Sequence, residues 1–299
     1  MLTRTTSTPT PAPAPARAGR VQAPLVSRLG VLLVMAICTV YFLAPLWWLF
    51  VGATKQQGQF VGGSPMWFEN FQPAGNIREL LTYRDGIFLR WVVNSIGYTV
   101  GAAALGTLVA GMCGYALAKY RFPGRELLFN VVLGGVLVPA TALALPLFLM
   151  FSKVHAANTF WSVFLPSIVN PFGVYLARIY ATASVPEDLL EAARIDGSGE
   201  IRTFFTVSAR LMLPAFVTVF LFHFVAVWNN FLLPLIMLGN EKLFPVTLGL
   251  YTWNSQVDQR PELRGLVLVG AFVSLVPMIL AFLFLQRFWR GGLGTGALK

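Results

Sequence analysis

The chain has 299 residues, 56% of them hydrophobic and only 11% charged, with a mean hydropathy of +0.68 and a formal net charge of +10. Soluble proteins carry roughly 25% charged residues, so this composition excludes a soluble globular enzyme and points to a chain that lives in a bilayer. The positive charge is also what nucleic-acid binders show, but in a multi-pass chain the positive-inside bias explains it without a nucleic-acid partner.

Residues 1–24 are rich in Thr, Pro and Ala, with Pro and Ala alternating from Pro9 to Ala16. Alternate prolines deny the backbone its helical donors and favour an extended, solvated chain. A disordered tail is therefore expected ahead of a membrane domain at 25–299. The first apolar stretch is long and lies behind that tail, so it reads as an uncleaved anchor. Six stretches, at about 29–53, 91–118, 128–151, 159–177, 217–238 and 265–286, are apolar enough to cross a membrane core that takes about 20 helical residues. None of them contains Asp, Glu, Lys or Arg. A charge at a helix centre costs roughly 2.5–3.5 kcal/mol on insertion scales, and ion-driven pumps accept that cost to gain a coupling group. This chain has no such carboxylate, so its energy is expected from a partner. Cys38 and Cys113 fall within spans and read as packing residues, a disulfide being neither required nor excluded.

With the N-terminus inside, 14 of the 22 basic residues lie on the cytoplasmic side, among them Lys119, Arg121, Arg125, Arg178, Arg194, Arg202 and Arg210. The positive-inside bias thus predicts both termini in the cytoplasm. The outer loop at 54–90 carries Trp67, Phe68, Phe71, Tyr83 and Phe88, and that at 239–264 carries Tyr251 and Trp253. Two readings of these aromatics stand: reception of an external partner, or an interface belt. Pro45, Pro139, Pro146, Pro166, Pro171, Pro234 and Pro277 are expected to kink the spans. Gly97, Gly101, Gly106, Ala110 and Gly114 give the second span a smooth side for close helix approach.

The polar segment at 185–206 has the grammar of two short helices joined by a turn. Pro186 can start the first, and Glu187 and Asp188 suit the positive end of its dipole. Leu189 and Ala193, one turn apart, share a face. Asp196-Gly197 ends the helix, because Gly tolerates the left-handed conformation. An amphipathic piece follows, with Ile201, Phe204 and Phe205 apolar against Glu200 and Arg202. The small residues beside Glu191 would let another protein approach closely, with the carboxylate free to meet a cation there. A generic polar loop is the plainer alternative.

Glu191-Ala192-Ala193-Arg194-Ile195-Asp196-Gly197, with the later Pro214, resembles the EAA loop of permease subunits in bacterial ATP-driven importers. The resemblance covers about residues 25–299. It includes Asn94-Ser95, Tyr115-Ala116-Leu117-Ala118, Arg121-Phe122-Pro123-Gly124, Leu145-Pro146-Leu147, Asn158-Thr159-Phe160-Trp161, Trp228-Asn229-Asn230-Phe231, Pro234-Leu235, and Arg290-Gly291 through Thr295-Gly296-Ala297. In that order these motifs look like the carbohydrate-uptake branch typified by the second permease of maltose transporters. The resemblance implies an all-α, six-helix bundle of the type I ABC importer permease kind, in the bacterial inner membrane. It also implies a conduit for sugars and not an enzyme, with no catalytic residue, metal or cofactor of its own. ATP and Mg would belong to a dimeric cytoplasmic ATPase. The other implied partners are a second permease, an extracytoplasmic sugar-binding protein and membrane lipid. By resemblance, Glu191, Ala192, Ala193, Asp196 and Gly197, within a loop at about 184–214, would seat in the ATPase. One departure is visible: Ala209-Arg210 stands where the family often has Leu-Pro, so a less kinked approach to the fifth span is expected.

His223, Trp228, Asn229 and Asn230 lie in that span. Amides and an aromatic at mid-membrane suit a sugar path, while Asn and His also serve as interhelical glue; both readings stand for Trp228 and Asn229. The chain lacks the Gly-x-x-x-x-Gly-Lys-Ser/Thr cradle of an ATPase and the Gly-x-Ser-x-Gly of a serine hydrolase. An ABC permease for a non-sugar solute, or an ion-coupled secondary transporter, remain the alternative functions.

Overall fold

A computed structural model describes residues 25–56, 63–68 and 70–293; the expected tail at 1–24 lies outside them. The chain divides into a unit at Met1–Trp47 and a larger one at Trp48–Lys299. Helix α1 (Leu25–Thr54) opens the described chain, and its residues from Ser27 form an uncharged apolar stretch of spanning length save for Arg28 at its start.

In the larger unit α2 (Pro73–Thr82) precedes α3 (Ile87–Lys119), the longest helix and the axis of the packing. Its glycine side does what the spacing predicts. A Cβ at Gly101 would meet the Phe164 ring at 2.7 Å, and one at Gly106 would meet the Ile168 carbonyl oxygen at 2.6 Å. Helices α4 (Arg125–Leu137), α5 (Ala140–Lys153), α6 (Phe160–Ile168) and α7 (Pro171–Ser184) follow. After the loop helix α8 (Glu187–Ile195) come α9 (Glu200–Thr203), a π-helical turn at Phe204–Ser208 and α10 (Ala209–Leu211). The chain then continues as α11 (Leu213–Trp228), α12 (Leu232–Met237), α13 (Val246–Asn254) and α14 (Leu263–Leu293). Among the described residues four helices are long and apolar enough to span, or six if each bent pair counts as one span.

Several expectations need correction. The third stretch is bent by 100° between α4 and α5, because Val138 turns extended before Pro139, the conformation that a following proline imposes. The fourth is interrupted at Val169 and then runs on to Ser184, beyond the expected 177. The fifth ends as a helix at Trp228 instead of 238, with α12 a separate short helix. Pro139, Pro171 and Pro234 sit at or near helix starts, where the missing N–H costs nothing, whereas Pro45, Pro146, Pro166 and Pro277 lie inside helices. The approach to the fifth span is sharply bent: helix 200–211 meets α11 at 82°. Met212 leaves helical geometry just before Pro214, and a proline ring cannot continue the preceding turn.

Two apolar clusters mark the two ends of α3. Near its start Leu80, Phe88, Trp91, Trp253 and Leu263 pack together, so Phe88 and Trp253 are core residues and not interface aromatics. Around them α3 grips the 241–246 segment. Trp91 Nε1 donates to the Glu241 carbonyl at 2.9 Å, Asn94 Nδ2 to the carbonyls of Lys242 and Phe244, and Ser95 Oγ accepts from Val246 N at 2.7 Å. Near the other end Tyr115, Ala177, Ala181, Leu190, Phe204 and Met212 form the second cluster, beneath α8.

Candidate functional site

Helix α8 is built as the sequence predicts and anchored by a residue the sequence reading passes over. Pro186 occupies the N-cap and Glu187 and Asp188 the first turn. Leu189 is exposed, while Leu190, 4% exposed, roots the helix in the second cluster. The helix ends in a Schellman motif: Ser198 N donates to the Ala193 carbonyl at 2.9 Å and Gly197 N to that of Arg194 at 3.0 Å. Gly197 has φ +76° and open space around its α-carbon, so the backbone conformation, and not crowding, requires glycine there.

Glu191, Ala192, Asp196 and Gly197 are exposed and Ala193 is half-buried, so the structure brings the five predicted residues onto one short, outward helix and its cap. Glu191 has no ion-pair partner among the described residues. Ile195 stands 87% exposed beside it and Ile201 72% exposed beyond the turn. Of the apolar residues in that piece Phe204 is buried, and Ile201 and Phe205 are exposed. Two apolar knobs among charges suit a docking surface, although single exposed apolar side chains are also ordinary on a free surface.

The charges nearest α8 are tied inward. Arg194 Nε donates to Glu200 Oε1 at 2.9 Å, and the Tyr120 hydroxyl donates to Glu200 Oε2 at 2.8 Å. The Arg194 guanidinium, then the Tyr120 hydroxyl, hold the Glu200 carboxyl below its usual range. Burial, and then the hydrogen bond to Glu200, push the Tyr120 phenol up. A second rivet lies beneath α4, where Glu126 takes hydrogen bonds from Arg178 at 2.6 Å and Arg125, with the Arg178 guanidinium 4.0 Å over the Phe129 ring. Between α8 and the end of α3 is a cavity of about 350 Å³ lined by Lys119, Tyr120, Arg121, Leu190, Glu191 and Arg194.

The residues expected on a substrate path meet at the break between α11 and α12. Trp228 is buried and stacked on Phe224, with ring centroids 6.1 Å apart and planes 6° from parallel. Asn229 is exposed, its amide bonded back to the Val225 carbonyl at 2.9 Å. Asn230 is half-buried; its carbonyl accepts from Thr247 Oγ1 at 3.1 Å. His223 is buried against Gly106, where only a glycine leaves room for the imidazole.

Residues 105–291 match the family of binding-protein-dependent transport system inner membrane components. The chain belongs to this family. It is thus a multi-pass membrane transport subunit, and the loop and bundle described above are those of an ABC importer permease. Over 282 residues it is 31% identical to the arabinooligosaccharides transport system permease protein AraQ of Bacillus subtilis (strain 168), covering 92% of this chain and 96% of that protein. It is 31% identical to the osmoprotective compounds uptake permease protein GgtD of Synechocystis sp. (strain ATCC 27184 / PCC 6803 / Kazusa), with 89% and 91% covered. With the lactose transport system permease protein LacG of Rhizobium radiobacter it shares 29% identity, with 92% and 97% covered. Its fold is that of a chain in the crystal structure of a bacterial ABC transporter involved in the import of the acidic polysaccharide alginate. There the TM-score is 0.76 at 19% identity, over 93% of this chain and all of that one.

Proposed function

We propose that this chain is one permease of a heterodimeric sugar importer, and that α8 is the helix through which a cytoplasmic ATPase dimer drives it. The observation that carries the coupling role is the construction of α8. Leu190 fixes it to the bundle, a left-handed Gly197 ends it, and Glu191 and Ile195 stand free on its outer side. In this reading Glu191, Ala192, Ala193, Asp196 and Gly197 seat in the ATPase, which binds ATP and Mg. Closure of the ATPase pushes α8, and the push turns α3 and α7 through the shared cluster beneath. The sugar reading rests on relatives whose names specify arabinooligosaccharides and lactose. A non-sugar cargo is the second reading, supported by the relative that takes up osmoprotective compounds.

Lys119 and Arg121 line one cavity with Glu191 and Arg194 of α8, and Arg125, Arg178, Arg202 and Arg210 fall on the same side in the positive-inside count, which supports a cytoplasmic loop and cytoplasmic termini in a bacterial inner membrane. An extracytoplasmic binding protein would then dock on the opposite end. The membrane domain is taken as 25–299, with 1–24 as its cytoplasmic tail. Of the three substrate-path residues, Asn229 is assigned to the cargo because it alone is exposed; Trp228 and Asn230 hold the helix break beside it.

The test is purification of the tagged chain from its own membrane, with mass spectrometry, ATPase assay and uptake of labelled sugars and polyols after reconstitution. A second permease, an ATPase and a binding protein should co-purify, and sugar should stimulate hydrolysis. Glu191→Lys and Gly197→Pro should insert normally yet lose uptake. Normal uptake in both variants would sink the coupling role of α8, and uptake of polyols alone would replace sugar as the cargo.

A further inference from the structure

At the end of the bundle remote from α8, the residue that follows α1 is a buried cation. Lys55 is 4% exposed. Its place is set through the backbone: Lys55 N bonds to the Gly52 carbonyl at 3.2 Å, and Asn76 Nδ2 donates to the Lys55 carbonyl at 3.0 Å. The ammonium donates to the Ser64 carbonyl, which uses one of its three donors. Among the described residues no carboxylate reaches it as an ion pair.

Beside Lys55 lies a cavity of about 380 Å³, with Trp48, Asn254, Arg264 and Leu268 on its walls. Arg264 is the second residue of α14. A cation there opposes the helix dipole, which favours negative charge at that end, and it too lacks an ion pair among the described residues. Two cations without an ion pair among the described residues, an amide and the start of a 31-residue helix therefore bound one cavity. Like charges around a partly enclosed space repel unless an anion lies between them.

The position says which anion. The cavity sits where the apolar part of α1 ends and that of α14 begins, the level at which headgroups lie, and Trp48 is the kind of side chain that marks it. Below Leu268, α14 continues with exposed Val276, Ile279 and Leu283 on the same side, a track for an acyl chain. We propose that this cavity binds a phosphate-bearing anion, and that its source is an anionic phospholipid of the leaflet remote from α8, its phosphate between Lys55 and Arg264.

The test uses the intact importer, stripped of lipid in detergent and given dioleoylphosphatidylglycerol, dioleoylphosphatidylcholine or inorganic phosphate. Thermal midpoint and lipid retained in native mass spectrometry are read together. Phosphatidylglycerol should be retained and raise the midpoint, and phosphatidylcholine should do neither. Arg264→Gln, which leaves the buried lysine and its loop intact, should weaken phosphatidylglycerol retention about tenfold, as loss of a hydrogen bond to a charged group does. Arg264→Lys should restore part of it. Equal retention of both lipids, or an unchanged Arg264→Gln variant, overturns the site. An equal midpoint shift from inorganic phosphate alone overturns the lipid as its source.

Discussion

The Tyr120 hydroxyl donates a 2.8 Å hydrogen bond to the Glu200 carboxylate, joining the end of α3 to the short helix α9 that follows α8. The other carboxylate oxygen is held by Arg194 on α8, so one side chain fastens three elements. Helix α3 has 33 residues, about 50 Å of rigid rod at 1.5 Å per residue. Its far end grips the 241–246 segment through Trp91, Asn94 and Ser95. A displacement of α8 is thus tied by direct contacts to the opposite end of the bundle, a chain of packed and hydrogen-bonded groups through which coupling can be carried.

Tyr120→Phe removes that hydroxyl and keeps the ring, which packs edge-on against Tyr115 at 5.8 Å. The variant should insert normally, with a thermal midpoint within about 2 °C of wild type, since the bond is at the surface. Substrate transported per ATP should fall about threefold, a usual effect of a mutation along a coupling network. Reconstituted transport and hydrolysis, measured on one preparation, give the ratio; a wild-type value would detach the bond from coupling.

The same carboxylate makes a pH prediction. Its folded value is depressed by Arg194 and Tyr120, so the folded state gains from its ionisation. That gain is complete at neutral pH, above the ordinary glutamate value, and disappears as pH falls through the lower, folded value. Wild type should therefore melt above Glu200→Gln at pH 7, and the gap should close as pH is lowered past the ordinary glutamate range. A gap that persists unchanged into that acid range would show that Glu200 acts by shape and not by charge.

Ile195 is the third handle. Its near-complete exposure means that Ile195→Asp should cost the isolated chain no more than about 1 kcal/mol, from a carboxylate at the negative end of the α8 dipole. At a docking surface it should cost affinity, because a carboxylate replaces an apolar contact at the centre of the patch. ATPase recovered with the tagged chain should drop about tenfold, more than with Glu191→Gln. Undiminished recovery would move the docking face elsewhere on the loop.

Much of this was legible in the sequence because the signals are local. Uncharged runs of spanning length, a proline ahead of two acids, and Asp196-Gly197 at a helix end each carry their meaning within a few residues. Kinks were expected at Pro139, Pro171 and Pro234, but not that the third, fourth and fifth stretches would break into separate helices. Hydropathy runs across Val138-Pro139, Val169-Asn170 and Asn229-Asn230, because one proline or one or two amides hardly lower the mean of a long apolar run. Long-range partners were hidden as well. Asn94 and Ser95 stand out as a motif, but their carbonyl and amide partners lie about 150 residues away. Trp253 reads equally as an interface aromatic or as a contact for an external partner until Trp91 is found 4.6 Å from it, ring to ring. Lys55 looks like an ordinary loop lysine, because nothing local shows that the loop and α2 bury it.

The glycine side of α3 separates packing from propensity. A Cβ on Gly114 would lie 2.7 Å from the Val174 carbonyl oxygen, the Arg178 nitrogen and the Ala177 Cβ. Two of these are backbone atoms of α7, which cannot swing aside as a side chain can. Gly114→Ala must therefore push α7 off α3, and overpacking of this kind costs roughly 1–3 kcal/mol. Gly134, on α4, has nothing within 4 Å of the same position. There alanine meets no obstacle and gains up to about 1 kcal/mol of helix propensity. The two identical substitutions should move the thermal midpoint in opposite directions, down for Gly114→Ala and level or up for Gly134→Ala, read by size-exclusion after heating. If both fall alike, glycine would be needed for backbone flexibility along these helices; if neither falls, α3 and α7 would not be packed as closely as their backbones stand here.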